Sequence, residues 1–167
     1  MPSTDAAACA AIYAPYVIDT EITFETEAPD AAEFQQRIER AQDQHVWLIA
    51  ENDGDTVGYA YAVPFKARAA YRFSCEVSVY LAPSAHGQGI GGELYVELLD
   101  RLAKRGMRMA CAGITLPNDA SLALHRSLGF TESGIYRRIG WKHGRWRDVA
   151  WFQKGLGDDP DAPPAGA

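Results

Sequence analysis

The sequence predicts a mixed α/β domain with a central twisted sheet and flanking helices. Two observations lead to this prediction. Short apolar segments at 46–51, 57–65 and 73–81 are bounded by turn residues, as is typical of strands. Amphipathic helical patterns lie before and after them, most clearly at 94–105. No repeat or internal compositional break divides the chain, so residues 1–155 are expected to form one domain.

The helices are predicted from capping residues and apolar spacing. Thr4 is a suitable N-cap for the first helix, and Pro15 is expected to disturb its later part. Pro29 and Asp30 introduce the second helix, in which Phe34 and Ile38 lie four residues apart on one face. Two further helices are expected, ended by Gly106 and by Gly129. The four helices are therefore placed from Thr4, over 31–42, over 94–105 and over 119–128.

The strands are predicted from apolar runs and from alternation. An Asn-Asp-Gly-Asp turn at 52–55 joins the first two strands into a hairpin. Along 73–81 the odd positions are mostly apolar, which places Glu76, Ser78 and Tyr80 on the opposite face. The later strands are predicted over 109–116, 131–139 and 146–154. The Gly-, Pro- and Asp-rich residues 156–167 are expected to form a disordered tail.

The segment His86–Gly92 has a composition typical of a phosphate-binding loop. Four of the six residues from 87 to 92 are glycine, and they lie between a predicted strand and a predicted helix. Glycine lets main-chain N–H groups approach a ligand, and a helix N-terminus supplies unpaired donors and a positive dipole end. A flexible turn would have the same composition. The loop lacks the Gly-Lys-Ser/Thr of a P-loop, and its alternating glycines do not fit the dinucleotide-binding fingerprint.

A second motif follows the strand at 109–116. Asn118, Ser121 and His125 are spaced three and four residues apart, so a helix would present them on one side. A histidine at such a position can take part in proton transfer, and it can equally be a buried structural residue.

The overall composition excludes several classes of protein. The formal net charge of −6 disfavours nucleic acid as a partner. No apolar stretch is long enough to span a membrane, and the first residues do not form a signal peptide. The three cysteines are far apart, which indicates free thiols and a cytoplasmic location. The four histidines lack metal-ligand spacing, so no metal is expected.

Taken together, the two motifs resemble those of the GCN5-related N-acetyltransferase (GNAT) superfamily. Its pyrophosphate loop, Gln/Arg-x-x-Gly-x-Gly/Ala, matches His86–Gly91, except that His86 replaces the usual Gln or Arg. Its downstream element matches Asn118, Ser121, His125 and Gly129-Phe130 in register. Within the superfamily the chain is most similar to phosphinothricin and methionine sulfoximine/sulfone acetyltransferases over about residues 10–155. Matching stretches include Phe24, Lys66-Ala67-Arg68, Tyr71, Glu76, Leu116–Asp119 and Lys142–Gly144.

The resemblance implies a GNAT fold, acetyl-CoA as co-substrate and a homodimer. The family begins with a strand before its first helix, and the sheet here is expected to lack that strand. Backbone groups of Gly87–Gly92, including Gln88 and Ile90, are expected to bind the pyrophosphate. The strand before the loop is expected to splay, so that Val79, Tyr80 and Leu81 pair with the pantetheine arm. Asn118 and Ser121 are expected on the opposite side of the coenzyme.

The resemblance also implies catalytic and substrate-binding residues. Glu76 is the candidate base for the acceptor amine, and the alternative is an ordinary exposed glutamate. His125 occupies the position of a tyrosine acid in many relatives, so it is a candidate acid or a supporting hydrogen-bond partner. Lys66, Arg68 and Tyr71 are candidate ligands of an anionic substrate, and the alternative is that the two cations are solvated in a surface loop.

Three functions therefore remain open. The first is N-acetylation of a small amino-acid-like amine, with detoxification as its role. The second is acetylation of a protein N-terminus or lysine, and the third is a non-catalytic acyl-CoA sensor. Retention of Glu76 and His125 argues against the sensor.

Overall fold

The computed structural model describes residues 3–165 and shows a six-stranded sheet with helices on both faces. Two short 3₁₀ turns, Ala69–Tyr71 and Pro83–Ala85, flank the third strand. The elements in chain order are α1 Ser3–Asp19, α2 Ala31–Gln44, β1 Trp47–Asn52, β2 Asp55–Pro64, β3 Ser74–Leu81, α3 Ile90–Lys104, β4 Met109–Thr115, α4 Asp119–Ser127, β5 Thr131–Lys142 and β6 Arg145–Gly155.

The sheet is mixed, as the sequence predicts. Its strand order is β1-β2-β3-β4-β6-β5, and β3 with β4 is the parallel pair among antiparallel neighbours. The described residues before β1 are helical or irregular. None of the helices in the described part of the chain has both the length and the apolar character needed to cross a membrane.

Two helix boundaries differ from the prediction. Helix α1 continues through Pro15 to Asp19, because apolar residues on both sides of the proline are buried; Val17 is 1% exposed. Helix α3 begins at Ile90 rather than at Leu94, so the last glycines of the loop lie in its first turn. Glycine has a poor helix propensity, and here packing against Leu81 and Leu124 at Gly91 compensates for it.

Apolar side chains fill both faces of the sheet. One core lies between the sheet and α3, and it includes Cys75 and Val77 of β3. The other lies between the sheet and the two N-terminal helices, where Tyr59 and Tyr80 pack with Tyr13. The alternation predicted for β3 is therefore confirmed, and it leaves Glu76 and Ser78 on the face of Tyr80.

The core between the sheet and α3 extends one residue beyond the predicted domain boundary at 155. Leu156 is 3% exposed, and its N–H donates to the carbonyl of Arg108 at 2.9 Å. An apolar side chain within reach of the core outweighs the polar composition around it.

Candidate active site

Strands β3 and β4 diverge after a short parallel contact. Their pairing is limited to three residue pairs, from Ser74–Met109 to Glu76–Cys111. Beyond Glu76, β3 remains paired with β2, whereas its other edge faces a gap. This gap, called the strand gap below, is lined by Ile22, Val77, Ser78, Val79, Tyr80, Tyr95, Ala112, Gly113, Ile114, Thr115, Asn118, Ser121 and His125. The splay expected from the resemblance is therefore present, with Val79 and Tyr80 along it.

The glycine loop leads from the end of β3 into α3. Gly87 and Gly89 have φ values of 74° and 82°, a conformation that disfavours residues with a Cβ. A Cβ at either position would have no heavy atom within 4 Å, so the space above this backbone is open. Gly89 is the N-cap of α3, and no side chain caps the helix. The uncapped first-turn N–H groups and the helix dipole form a site suited to a phosphate group.

Two side chains of the loop bond to neighbouring protein groups. The Gln88 side-chain amide donates to the carbonyl of Ser84. Nε2 of exposed His86 lies 3.1 Å from the hydroxyl of Tyr16, and that hydroxyl donates to the carbonyl of Leu81 at 2.7 Å. His86 thus bonds to α1 through Tyr16.

The motif on α4 forms the opposite wall of the strand gap. Oδ1 of Asn118 caps the helix by accepting from the N–H of Ser121 at 3.1 Å. His125 is 3% exposed, and its Nδ1 lies 2.7 Å from the carbonyl of Ser121. All three residues line the gap on one side of α4, as their spacing predicts.

The hydrogen bonds of His125 indicate which ring nitrogen donates. A carbonyl can only accept, so Nδ1 is the donor to Ser121, and burial lowers the pKa of the ring, which disfavours its charged form. Nε2 is then an acceptor, and the hydroxyl of Tyr95 donates to it at 3.1 Å. Tyr95 also lines the gap and is 1% exposed. The sequence analysis missed it because its position on α3 reads as part of the apolar stripe.

Glu76 lies where two cavities meet. It lines an acceptor-side cavity of about 490 Å³ and a neighbouring cavity of about 400 Å³. Desolvation raises the pKa of its carboxyl group, and the nearby charge of Lys66 opposes that rise. A carboxyl with a raised pKa is better matched to proton transfer near neutrality than an exposed glutamate is.

The larger cavity, called the acceptor cavity below, adjoins the strand gap. The two share Ile22, Ser78, Tyr80, Gly113 and Thr115 as lining residues. Its remaining wall consists of Glu76, of Tyr136 and of side chains for which the sequence predicted no binding role: Tyr13, Thr23, Phe24, Tyr61, Ile139, Val149 and Trp151. The one available signal was a cluster of apolar residues, Ile22 and Phe24, in a loop that would ordinarily be polar.

The three predicted substrate ligands are not all at a cavity. Lys66 lines the 400 Å³ cavity together with Glu76, Cys111, Tyr136 and Trp151. Arg68 and Tyr71 are exposed on the segment that follows Lys66. The Tyr71 ring packs edge-on against Phe65, a residue of the Lys66 cavity, with centroids 5.8 Å apart.

The β5–β6 hairpin exposes an apolar surface beside the acceptor cavity. Ile139, Trp141 and Trp146 are 56%, 58% and 49% exposed, and the two indole rings pack edge to face. We call these three residues the hairpin patch. Exposed apolar groupings of this kind are typical of protein interfaces.

Comparison with known proteins supports the same assignment of family. Residues 1–151 match the model of the acetyltransferase (GNAT) domain. The chain is 39% identical over 162 residues to phosphinothricin N-acetyltransferase of Streptomyces viridochromogenes, covering 97% of this chain and 87% of that protein.

Two solved structures are similar along almost the whole chain. A GNAT superfamily phosphinothricin acetyltransferase from Sinorhizobium meliloti, in complex with acetyl-CoA, superposes with a TM-score of 0.95 at 37% identity, covering 100% of this chain and 91% of that one. Ribosomal-protein-alanine N-acetyltransferase from Brucella melitensis gives a TM-score of 0.90 at 39% identity, covering 93% and 97%.

Proposed function

The chain belongs to the GNAT family of acetyltransferases, and from this premise we propose that it acetylates the primary amine of a small amino-acid-like substrate. Phosphinothricin, methionine sulfoximine and methionine sulfone are the candidates. The observation that carries the proposal is the contact between the strand gap and the acceptor cavity, with Glu76 at the margin of the latter. A thioester in the gap and an amine in the cavity would be adjacent at Ser78 and Gly113, which line both spaces.

The residues of the gap and the loop fit acetyl-CoA. The backbone of Gly87–Gly92 offers donors to the pyrophosphate, and in the described part of the chain no side chain occupies the space above Gly87 and Gly89. The edge of β3 at Val79, Tyr80 and Leu81 can pair with the pantetheine amides, although the Leu81 carbonyl already accepts from Tyr16. Asn118 and Ser121 bound the gap from α4, with the Asn118 Oδ1 already committed to the helix cap.

Glu76 serves as the proton acceptor of the reaction. An ammonium must lose a proton before it can attack the thioester, and a half-buried carboxylate at the cavity wall can accept it directly or through water. The Lys66 ammonium attracts the carboxylate of the substrate and limits the rise in the pKa of Glu76. Arg68 and Tyr71 lie exposed on the segment after Lys66, so they could contact a bound substrate only from outside the two cavities.

Tyr95 and His125 serve the departing thiolate. The neutral His125 uses its only N–H on Ser121, so it supports the reaction by holding the Tyr95 hydroxyl rather than by donating its own proton. The single proton of that hydroxyl bonds to Nε2 in this structure, so it would have to turn from His125 into the gap to stabilise the negative charge that develops there. This favours the supporting role for His125 over the acid role.

Acetylation of a protein N-terminus is the second candidate. The similarity to the Brucella melitensis protein favours it, whereas the shape of the acceptor cavity opposes it. Phe24 from the α1–α2 loop and Ile139 from the hairpin bound that cavity, which suits a single amino acid better than an extended peptide.

The assembly and cellular role complete the proposal. The hairpin patch pairs with that of a second copy to form a homodimer, because it is apolar and adjoins the acceptor cavity through Ile139. Free thiols at Cys9, Cys75 and Cys111 are consistent with a cytoplasmic enzyme. Acetylation of a toxic amino-acid analogue would make detoxification its role.

A thiol-release assay with acetyl-CoA tests the proposal. The acceptors are phosphinothricin, methionine sulfoximine, methionine sulfone, free amino acids and an alanine-initiated peptide. We expect saturable turnover with at least one of the three analogues. Turnover with the peptide alone would favour the second candidate. Calorimetric binding of acetyl-CoA without turnover on any amine would favour the sensor.

A further inference from the structure

Lys142 is a buried cation that the reaction scheme does not use. Its side chain is 4% exposed, and Nζ donates to the carbonyl oxygen of Thr23 at 2.9 Å. Within residues 3–165 this ammonium forms no ion pair. Burial of a charged group costs free energy, so we expect this ammonium, with its single hydrogen bond to a backbone oxygen, to have a specific role.

The oxygen that Lys142 holds belongs to the wall of the acceptor cavity. Ile22, Thr23 and Phe24 all line that cavity, and they come from the irregular segment between α1 and α2. The helices hold one end of this segment. The Tyr13 hydroxyl bonds to Oγ1 of Thr23 at 2.6 Å, and the Arg37 guanidinium makes two bonds to Glu25 at 2.9 and 2.6 Å.

The β5–β6 hairpin holds the same segment from the other side. Arg147 donates to Glu21 at 3.1 Å. The Phe24 ring lies directly against Gly140, since a Cβ at residue 140 would overlap with it. Lys142 lies two residues beyond Gly140 on β5, and its hydrogen bond is to Thr23, the residue before Phe24.

We propose that Lys142 is a positioning residue for the acceptor amine, acting through Thr23 and Phe24 to set the size of the acceptor cavity. The positioning role depends on the proposed function only because it takes an amine as the ligand of the acceptor cavity. The hydrogen bond itself links β5, which carries part of the hairpin patch, to the acceptor wall. Lys142 makes no contact with the strand gap, so binding of acetyl-CoA should not depend on it.

The test compares two lysine variants of the full chain. Lys142→Met removes the ammonium and keeps the unbranched chain up to the position of Cε. Lys154→Met is the matched control, because Nζ of Lys154 also donates to a backbone carbonyl, that of Leu128 at 2.6 Å, away from the acceptor cavity. We expect Lys142→Met to raise the acceptor KM about tenfold, as for loss of one charged hydrogen bond, with kcat and the acetyl-CoA Kd within about twofold. The control should leave all three near the parent values.

A double-mutant cycle separates positioning from general destabilisation. If Lys142 acts through the Phe24 wall, Lys142→Met should have little further effect on the acceptor KM in a Phe24→Ala background. An undiminished effect in that background, or an unchanged KM in folded Lys142→Met, would overturn the proposal.

Hydrogen exchange gives a readout that needs no activity. Faster amide exchange over residues 21–25 is expected in Lys142→Met and not in Lys154→Met. This arm keeps the two proposals distinct: an inactive parent protein would refute the proposed function, whereas equal exchange of this segment in the two variants would refute the role of Lys142.

Discussion

The coenzyme side and the acceptor side of the active site are built in different ways. The coenzyme side consists of consecutive backbone, Gly87–Gly92, and of one face of α4. The acceptor side is assembled from side chains of the α1–α2 segment, three strands and the β5–β6 hairpin. A backbone site tolerates change in neighbouring side chains, whereas a side-chain site changes with each of its contributors. We therefore expect the mode of acetyl-CoA binding to be general and the selectivity for the amine to be particular to this chain.

The largest effect is expected when the base on the acceptor side is removed. Glu76→Gln keeps the size of the side chain and loses its proton acceptor, so kcat/KM for the amine should fall by about 10²- to 10³-fold. Calorimetric affinity for acetyl-CoA should stay within about twofold, since Glu76 does not line the strand gap. Equal losses in both measurements would contradict the separation of the two sides.

The next effect concerns the coenzyme side and the backbone of the loop. Gly89→Ala places a Cβ at φ 82° in the open space above the loop, so the acetyl-CoA Kd should rise by about tenfold or more. Gly54→Ala is the control, because Gly54 has φ 89° and equally open space in the β1–β2 turn. Both variants should lose about 1–2 kcal/mol of unfolding free energy, and only the first should lose coenzyme affinity.

A smaller effect is expected where the two sides meet at the thiolate. Tyr95→Phe removes the hydroxyl that donates to His125, and kcat should fall by about tenfold with both KM values little changed. Tyr59→Phe is a control at another tyrosine that is 1% exposed and lines neither cavity. His125→Phe should resemble Tyr95→Phe; a far larger loss in His125→Phe would restore histidine as the acid.

The smallest effect is a shift of the pH profile. Because burial raises the pKa of Glu76, the carboxylate is present only above that raised pKa, and kcat/KM should fall as the pH drops through it. The Lys66 charge lowers this pKa, so in Lys66→Met the acidic limb should move to higher pH. Initial rates between about pH 5 and 9 at saturating acetyl-CoA measure the limb, and a shift to lower pH would contradict the assignment.

Sequence reasoning succeeded where the partners are close along the chain. Asn118, Ser121 and His125 follow helical spacing, and Gly87–Gly92 are contiguous, so their common location could be predicted. It failed where contacts depend on tertiary packing: Tyr95 and His125 are 30 residues apart, and Lys142 and Thr23 are 119 apart. Helix α3 was predicted to begin four residues late because glycine weakens the helical pattern in the sequence. Tertiary contacts at Gly91 stabilise the helical conformation there.

The short parallel contact between β3 and β4 has a mechanical consequence. Three residue pairs join two antiparallel halves, β1-β2-β3 and β4-β6-β5. An extended molecule bound along the gap would add hydrogen bonds between the two halves of the sheet and so couple them. Such a ligand should raise the melting temperature of the whole domain in proportion to the logarithm of its concentration, so thermal stability becomes a direct gauge of occupancy.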